Sequence, residues 1–91
     1  MVGRVRLRRD PDADRVLRQF GKDLQAARKV AGLSQAEIGK QVGVSDRTVS
    51  YAELGKRNLR WSVMYALARV LGYRLKLVFS PADRKPENGG N

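Results

Sequence analysis

The chain has no cysteine and no histidine among its 91 residues. The first absence excludes disulfides and thiolate metal sites and leaves the redox compartment unspecified. The second removes the commonest general base and the commonest metal ligand. No apolar run approaches the roughly 20 residues needed to cross a bilayer. The N-terminal MVGRVRLRRD is basic but lacks the apolar block of a secretory signal. There is no internal repeat, and no pair of carboxylates is spaced to suit an acid–base cleft. These absences argue against an enzyme, a metal site, a bound cofactor and a membrane span. The expected compartment is the cytoplasm.

What the chain does have is positive charge. Nineteen Lys and Arg stand against nine Asp and Glu, a net charge of +10 with an isoelectric point near 10.9. Such a balance suits a nucleic-acid partner, and by itself it equally suits an anionic lipid surface or a merely soluble basic protein. A chain of this length makes one small domain with a modest core, so a dimer interface would supply part of its stability.

The most informative stretch runs from Gly32 to Gly55, GLSQAEIGKQVGVSDRTVSYAELG. Ser34 with Glu37 three residues later is a capping box, and Leu33 and Ile38 are placed as the apolar staple around it. A short helix is predicted from Gln35 to about Val42, ended by Gly43 in a left-handed conformation. Ser45 then caps a second short helix, Asp46 to Leu54, with Val44 and Val49 as its staple and Gly55 as its stop. Two short helices joined by a glycine-containing turn make a helix-turn-helix arrangement. Its second helix is the one shaped to enter a DNA major groove. Ile38, Val42, Val44, Val49, Ala52 and Leu54 are the expected buried set here. Gly39, mid-helix, fits a close crossing by the second short helix.

Around this pair the chain divides into a basic arm (residues 1–12), a domain (13–79) and a disordered polar tail (80–91). The arm carries four arginines in its first nine residues and reads as a flexible arm or a short strand. Asp10-Pro11 signals a helix start. A long helix is predicted from about Asp12 to Ala31, with an apolar stripe of Leu17, Phe20, Leu24, Ala27 and Ala31 widened by Val16 and Val30. Gly21 interrupts that pattern and weakens it by about 1 kcal/mol relative to alanine. Lys56 to Arg60, KRNLR, is a basic loop. A fourth helix follows from Arg60 or Trp61 to Leu71, its face formed by Trp61, Met64, Leu67, Ala68 and Leu71. YRLKLVF, residues 73–79, then switches to a period of two, which predicts a strand. Tyr73, Leu75, Leu77 and Phe79 share one side of it. A lone strand needs a partner, either residues 4–8 or the same strand of a second molecule in a two-fold dimer.

At Gly32-Leu33-Ser34-Gln35, Gly43-Val44-Ser45 and Glu53-x-Gly55 the chain resembles the Cro/CI-like, or XRE-type, helix-turn-helix family. The resemblance covers about residues 17–73. It implies a mostly α, lambda-repressor-like domain of four helices, here with a C-terminal β-strand in place of a fifth helix. That variant is similar to HipB-type antitoxins, whose strand pairs across a dimer. By position, the resemblance makes Gln35 a phosphate-holding residue that buttresses the reading helix, and Ser34 a phosphate-contacting cap. Ser45, Asp46, Arg47 and Tyr51 fall where side chains face base edges. Thr48 and Ser50 face phosphate or solvent. Arg28 and Glu53 match a pair tying the first helix to the end of the reading helix. The family's proline and capping serine or threonine before the fourth helix are replaced by Leu59 and Arg60, so the cap of that helix is lost. A bacterial, nucleoid-associated location is likewise implied by the resemblance alone.

The chemistry of the residues is compatible with these roles. Arg47 can clamp guanine O6 and N7, worth about 1–3 kcal/mol of discrimination. Asp46 can accept from cytosine, orient Arg47, or simply stabilise the first turn of its own helix. Tyr51 can meet a thymine methyl or a phosphate, or be core. Lys56, Arg57 and Arg60 suit phosphate gripping, which positions without specifying. The expected function is that of a dimeric, sequence-specific double-stranded DNA-binding repressor of a palindromic operator. The alternative is the antitoxin of a toxin–antitoxin pair that also represses its own operon. A membrane-surface role for the arginine arm is a further competitor.

Overall fold

The computed structural model describes residues 10–56 and 59–81. The N-terminal arm to residue 9, Arg57 with its neighbour at 58, and the tail from residue 82 lie outside the described residues.

Four helices follow one another: α1 (Pro11–Ala31), α2 (Gln35–Val42), α3 (Asp46–Glu53) and α4 (Trp61–Val70). Local chemistry marks their ends. The Asp10 side chain accepts from the backbone N–H of Asp12, and Pro11 occupies the first helical position. This starts α1 one residue earlier than the sequence pattern indicates. The Ser34 capping box closes reciprocally: Glu37 N–H donates to Ser34 Oγ at 3.0 Å, and Ser34 N–H donates to Glu37 Oε1 at 2.7 Å. Gly43 ends α2 at φ 93°, where a side chain would be strained, and passes the chain straight into the Ser45 cap of α3. At the start of α4, Arg60 makes no side-chain cap hydrogen bond.

α2 packs on α3 and α4, and α1 packs on α3. Leu24, Ile38, Val49, Ala52 and Leu67 form the buried cluster, with Phe20, Leu33, Val42, Val44, Leu59, Val63, Val70 and Leu71 against it. Burying a Val, Leu or Ile side chain contributes about 1.5–3 kcal/mol. Several residues assigned to an apolar face by pattern are exposed, Ala31 at the end of α1 and Trp61 in the first turn of α4 among them. Leu54 is 62% exposed, and Val16 and Val30 also face solvent. Leu54 follows the last turn of α3 on its outer edge, and the two valines lie beyond the width of α1 that α3 covers.

Two glycines mark where the helices meet. A Cβ at Gly21 would stand 2.6 Å from the Ala52 carbonyl oxygen and still closer to that of Glu53. Gly21 therefore permits α1 to cross the end of α3 at backbone contact, a packing role that outweighs its propensity cost. Gly39 does the same with a different neighbour from the one expected. Its close contact is the Val44 carbonyl, 2.7 Å from a hypothetical Cβ, in the turn before α3 rather than in α3 itself.

The predicted strand is not present: among the described residues no β-strand forms. Tyr73 to Pro81 runs on without regular structure, and Tyr73, Leu77, Val78 and Phe79 are exposed. A strand is a hydrogen-bonded ladder, and no edge for this segment to pair with is present among the described residues; residues 4–8, the alternative partner within the chain, lie outside them. Only Leu75 of the alternating set is half-buried, where it lines a groove of about 450 Å³ with Phe20, Leu24, Ala27, Val30 and Leu71.

Candidate nucleic-acid interface

The inner side of α3 is committed to the core through Val49 and Ala52, both essentially fully buried. At 3.6 residues per turn this leaves Arg47 and Tyr51 on the outer side, with Asp46 on the flank in the first turn, and all three are exposed. Neither Asp46 nor Arg47 forms an ion pair or side-chain hydrogen bond with any described residue. Their functional groups are thus available to a partner, and Asp46 does not orient Arg47 in the free chain. Ser45, at the helix start, is exposed but engaged: Thr48 N–H donates to Ser45 Oγ at 3.1 Å, and the two hydroxyls lie 3.1 Å apart. Thr48 and Ser50 are half-buried on the flanks. Leu54 completes the outer stripe at the 47, 51, 54 spacing; that spacing was readable in the sequence, but its apolar character points inward.

The end of α3 is anchored by Glu53, which is only 8% exposed. Its carboxylate accepts from Arg28 Nε at 2.6 Å, from the second guanidinium N–H at 3.1 Å, from Gln35 Nε2 at 3.0 Å and from Gln25 Nε2 at 3.2 Å. Arg28 also donates to the Leu33 carbonyl at 3.0 Å. One buried carboxylate thereby joins α1, the start of α2 and the end of α3. Burial alone pushes the Glu53 carboxyl up. The hydrogen bonds from Arg28 and Gln35, the Arg28 charge and the Gln25 bond together outweigh it and hold the group below its ordinary value. Gln25 was missed by sequence reading, although it lies three residues from Arg28 and so on the same face of α1.

The remaining residues frame α3. Ser34 and Gln35 stand at the start of α2, where free backbone N–H groups favour an anion. Ser34 is exposed, its hydroxyl occupied with the cap; Gln35 is half-buried, its amide held by Glu53. Lys56 and Arg60 are exposed on either side of the short loop leading to α4, and Arg57 lies outside the described residues. Among the described residues no group of three His, Cys, Asp or Glu gathers that could hold a metal ion, and no helix is long and apolar enough to cross a membrane.

A cap-turn-cap pair of short helices is a helix-turn-helix arrangement, and a family model described as a helix-turn-helix domain matches residues 19–75. The chain belongs to the helix-turn-helix family. Within it, the chain is similar to an uncharacterized HTH-type transcriptional regulator, y4dJ, of Sinorhizobium fredii: 32% identical over 66 residues, which cover 72% of this chain and 86% of that one. An uncharacterized HTH-type transcriptional regulator of Archaeoglobus fulgidus is 38% identical over 48 residues, covering 53% and 69% of the two chains. Among solved structures, a chain from the complex of a HipB variant with an O2 20mer superposes with a TM-score of 0.61 at 19% identity, covering 86% of this chain and all of that one. At that identity the likeness concerns the fold, and it supports the XRE-type, HipB-like form of the helix-turn-helix that the LSQ, GVS and Glu-x-Gly spacings resemble.

Proposed function

We propose that this protein is a sequence-specific double-stranded DNA-binding transcriptional regulator that acts as a homodimeric repressor on a palindromic operator. The observation that carries the reading is the exposure of Asp46, Arg47 and Tyr51 on α3 while the inner side of the same helix is locked by the core and by Glu53. In this reading Ser45, Asp46, Arg47 and Tyr51 face base edges in the major groove. Ser34, Gln35, Thr48, Ser50, Lys56, Arg57 and Arg60 hold phosphates and set the register.

Dimerisation would answer the exposed C-terminal segment. Residues 73–79 of two copies, related by a two-fold axis, can pair antiparallel and place Leu75, Leu77 and Phe79 over the apolar groove between α1 and α4. The antitoxin reading uses the same DNA-facing surface and adds a toxin as partner. Co-expression with the product of the neighbouring gene separates the two, since only an antitoxin would co-purify with that product and neutralise it.

The test of the main reading is selection of bound sites from a random duplex pool, followed by salt titration on the recovered and a scrambled duplex. A symmetric motif whose half-sites lie about 10 base pairs apart, or a multiple of that, is expected. Affinity should fall steeply with salt on both duplexes, with the recovered one tighter throughout. Equal affinity for the two would overturn sequence specificity.

A further inference from the structure

The charges of α1 are segregated around the helix. At about 100° per residue, Arg18, Lys22 and Lys29 fall within roughly 40° of one another. All three are exposed, and none pairs with an acid among the described residues. The exposed acids Asp12 and Asp23 lie roughly 100–120° round from the middle of that stripe, and Asp23 lines the apolar groove instead. Asp14, the acid nearest the basic side, is half-buried and already engaged.

That basic side is the one next to the reading helix. Gly21, Gln25 and Arg28, the residues of α1 that touch the end of α3, border it directly. Its two ends reach the two regions assigned to phosphate gripping. Arg18 lies against the loop after α3: a Cβ at Gly55 would be 2.8 Å from Arg18 Cα, and Lys56 is the next residue. Lys29 stands beside the α1–α2 corner, where Arg28 donates to the Leu33 carbonyl and Ser34 follows. At 1.5 Å per residue the three cations mark out about 16 Å, close to five base-pair steps along a duplex.

We infer that Arg18, Lys22 and Lys29 form a second phosphate-binding rail, which holds duplex outside the base pairs that α3 reads. The inference rests on the DNA-binding reading above. It rests equally on a basic stripe that has no acidic partner among the described residues, borders the proposed contact surface and is complementary to a polyanion. The rail distinguishes no bases. It adds affinity and salt dependence only where the duplex extends past the site.

The test compares the full chain with R18Q/K22Q/K29Q, a triple change confined to exposed positions. Each is titrated against salt on two duplexes: the selected site alone, and the same site with about one helical turn, roughly 10 base pairs, added at each end. On the short duplex the two proteins should bind with the same affinity and slope. On the long duplex the wild type should bind more tightly. There the variant's slope of log affinity against log salt should be shallower by up to about 2.7 per subunit, from roughly 0.9 for each phosphate released. Equal behaviour of the two proteins on both duplexes, or an equal loss on both, would overturn the rail. Failure of the wild type to bind duplex of either length would instead overturn the DNA-binding reading itself, and the rail with it.

Discussion

The α2–α3 pair and the C-terminal segment from Tyr73 to Pro81 both carry large apolar side chains, and these meet opposite fates. Ile38 and Val49 are fully buried; Leu77 and Phe79 are in solvent. The helices satisfy their backbone groups internally and close their own ends with Ser34, Glu37, Ser45 and Gly43, so they need only a neighbour to cover one face. An extended segment satisfies nothing internally and waits for another edge. Apolar content therefore predicts burial only where the hydrogen-bonding account also closes. In this molecule that condition separates the helices, which bury their apolar sides, from the C-terminal segment, which leaves most of its own exposed.

The sharpest way to break the comparison is at the anchor of α3. Glu53→Ala leaves the mostly buried Arg28 guanidinium without its partner and should cost about 3–5 kcal/mol in denaturant unfolding. The same carboxylate sets a pH dependence. Because it titrates lower in the folded than in the unfolded chain, its stabilisation is complete above the ordinary glutamate value near 4.3 and is lost as pH falls through the depressed folded value. The melting temperature of the wild type should thus fall more steeply with acid than that of Glu53→Gln, which cannot titrate. Parallel curves would remove Glu53 as the acid-sensitive group.

Gly21→Ala should cost about 1–3 kcal/mol by forcing α1 away from the Ala52 and Glu53 carbonyls, although alanine is the better helix former. A gain in stability would show that the crossing can relax. Arg47→Ala should leave the melting temperature unchanged and remove about 1–3 kcal/mol of preference at one base pair, whereas Lys56→Ala should weaken all duplexes alike. Ser45→Ala should cost about 1 kcal/mol by uncapping α3. The smallest effect on folding is expected at the C-terminal segment. Phe79→Ala should stay within about 0.5 kcal/mol when measured on dilute monomer, yet shift the monomer–dimer equilibrium in sedimentation toward monomer. Loss of monomer stability would place Phe79 in the fold of a single copy after all.

Much of the architecture was legible because it is written over short distances. Ser34 and Glu37, Gly43 and Ser45, and Asp10 and Pro11 act on neighbours within a turn, so α2 could be bounded to the residue and α3 and α4 to within one or two. The exposed positions of α3 were indicated by the family resemblance, and the inward placement of Val49 and Ala52 is compatible with them. Leu54 misled because an apolar side chain after the last helical turn carries no sign of whether anything covers it.

By itself, then, the sequence determined where the helices begin and end, which side of each is apolar, and that the chain is strongly basic, since these depend on residue identity and on spacings of three and four. Tertiary structure alone decided that Gly21 is a crossing point, that Gln25 joins Arg28 and Gln35 on one carboxylate, and that Arg18 lies against Gly55 in the loop after α3. Each of those facts pairs residues far apart in the chain, and no local rule specifies which distant backbone or charge a side chain will meet.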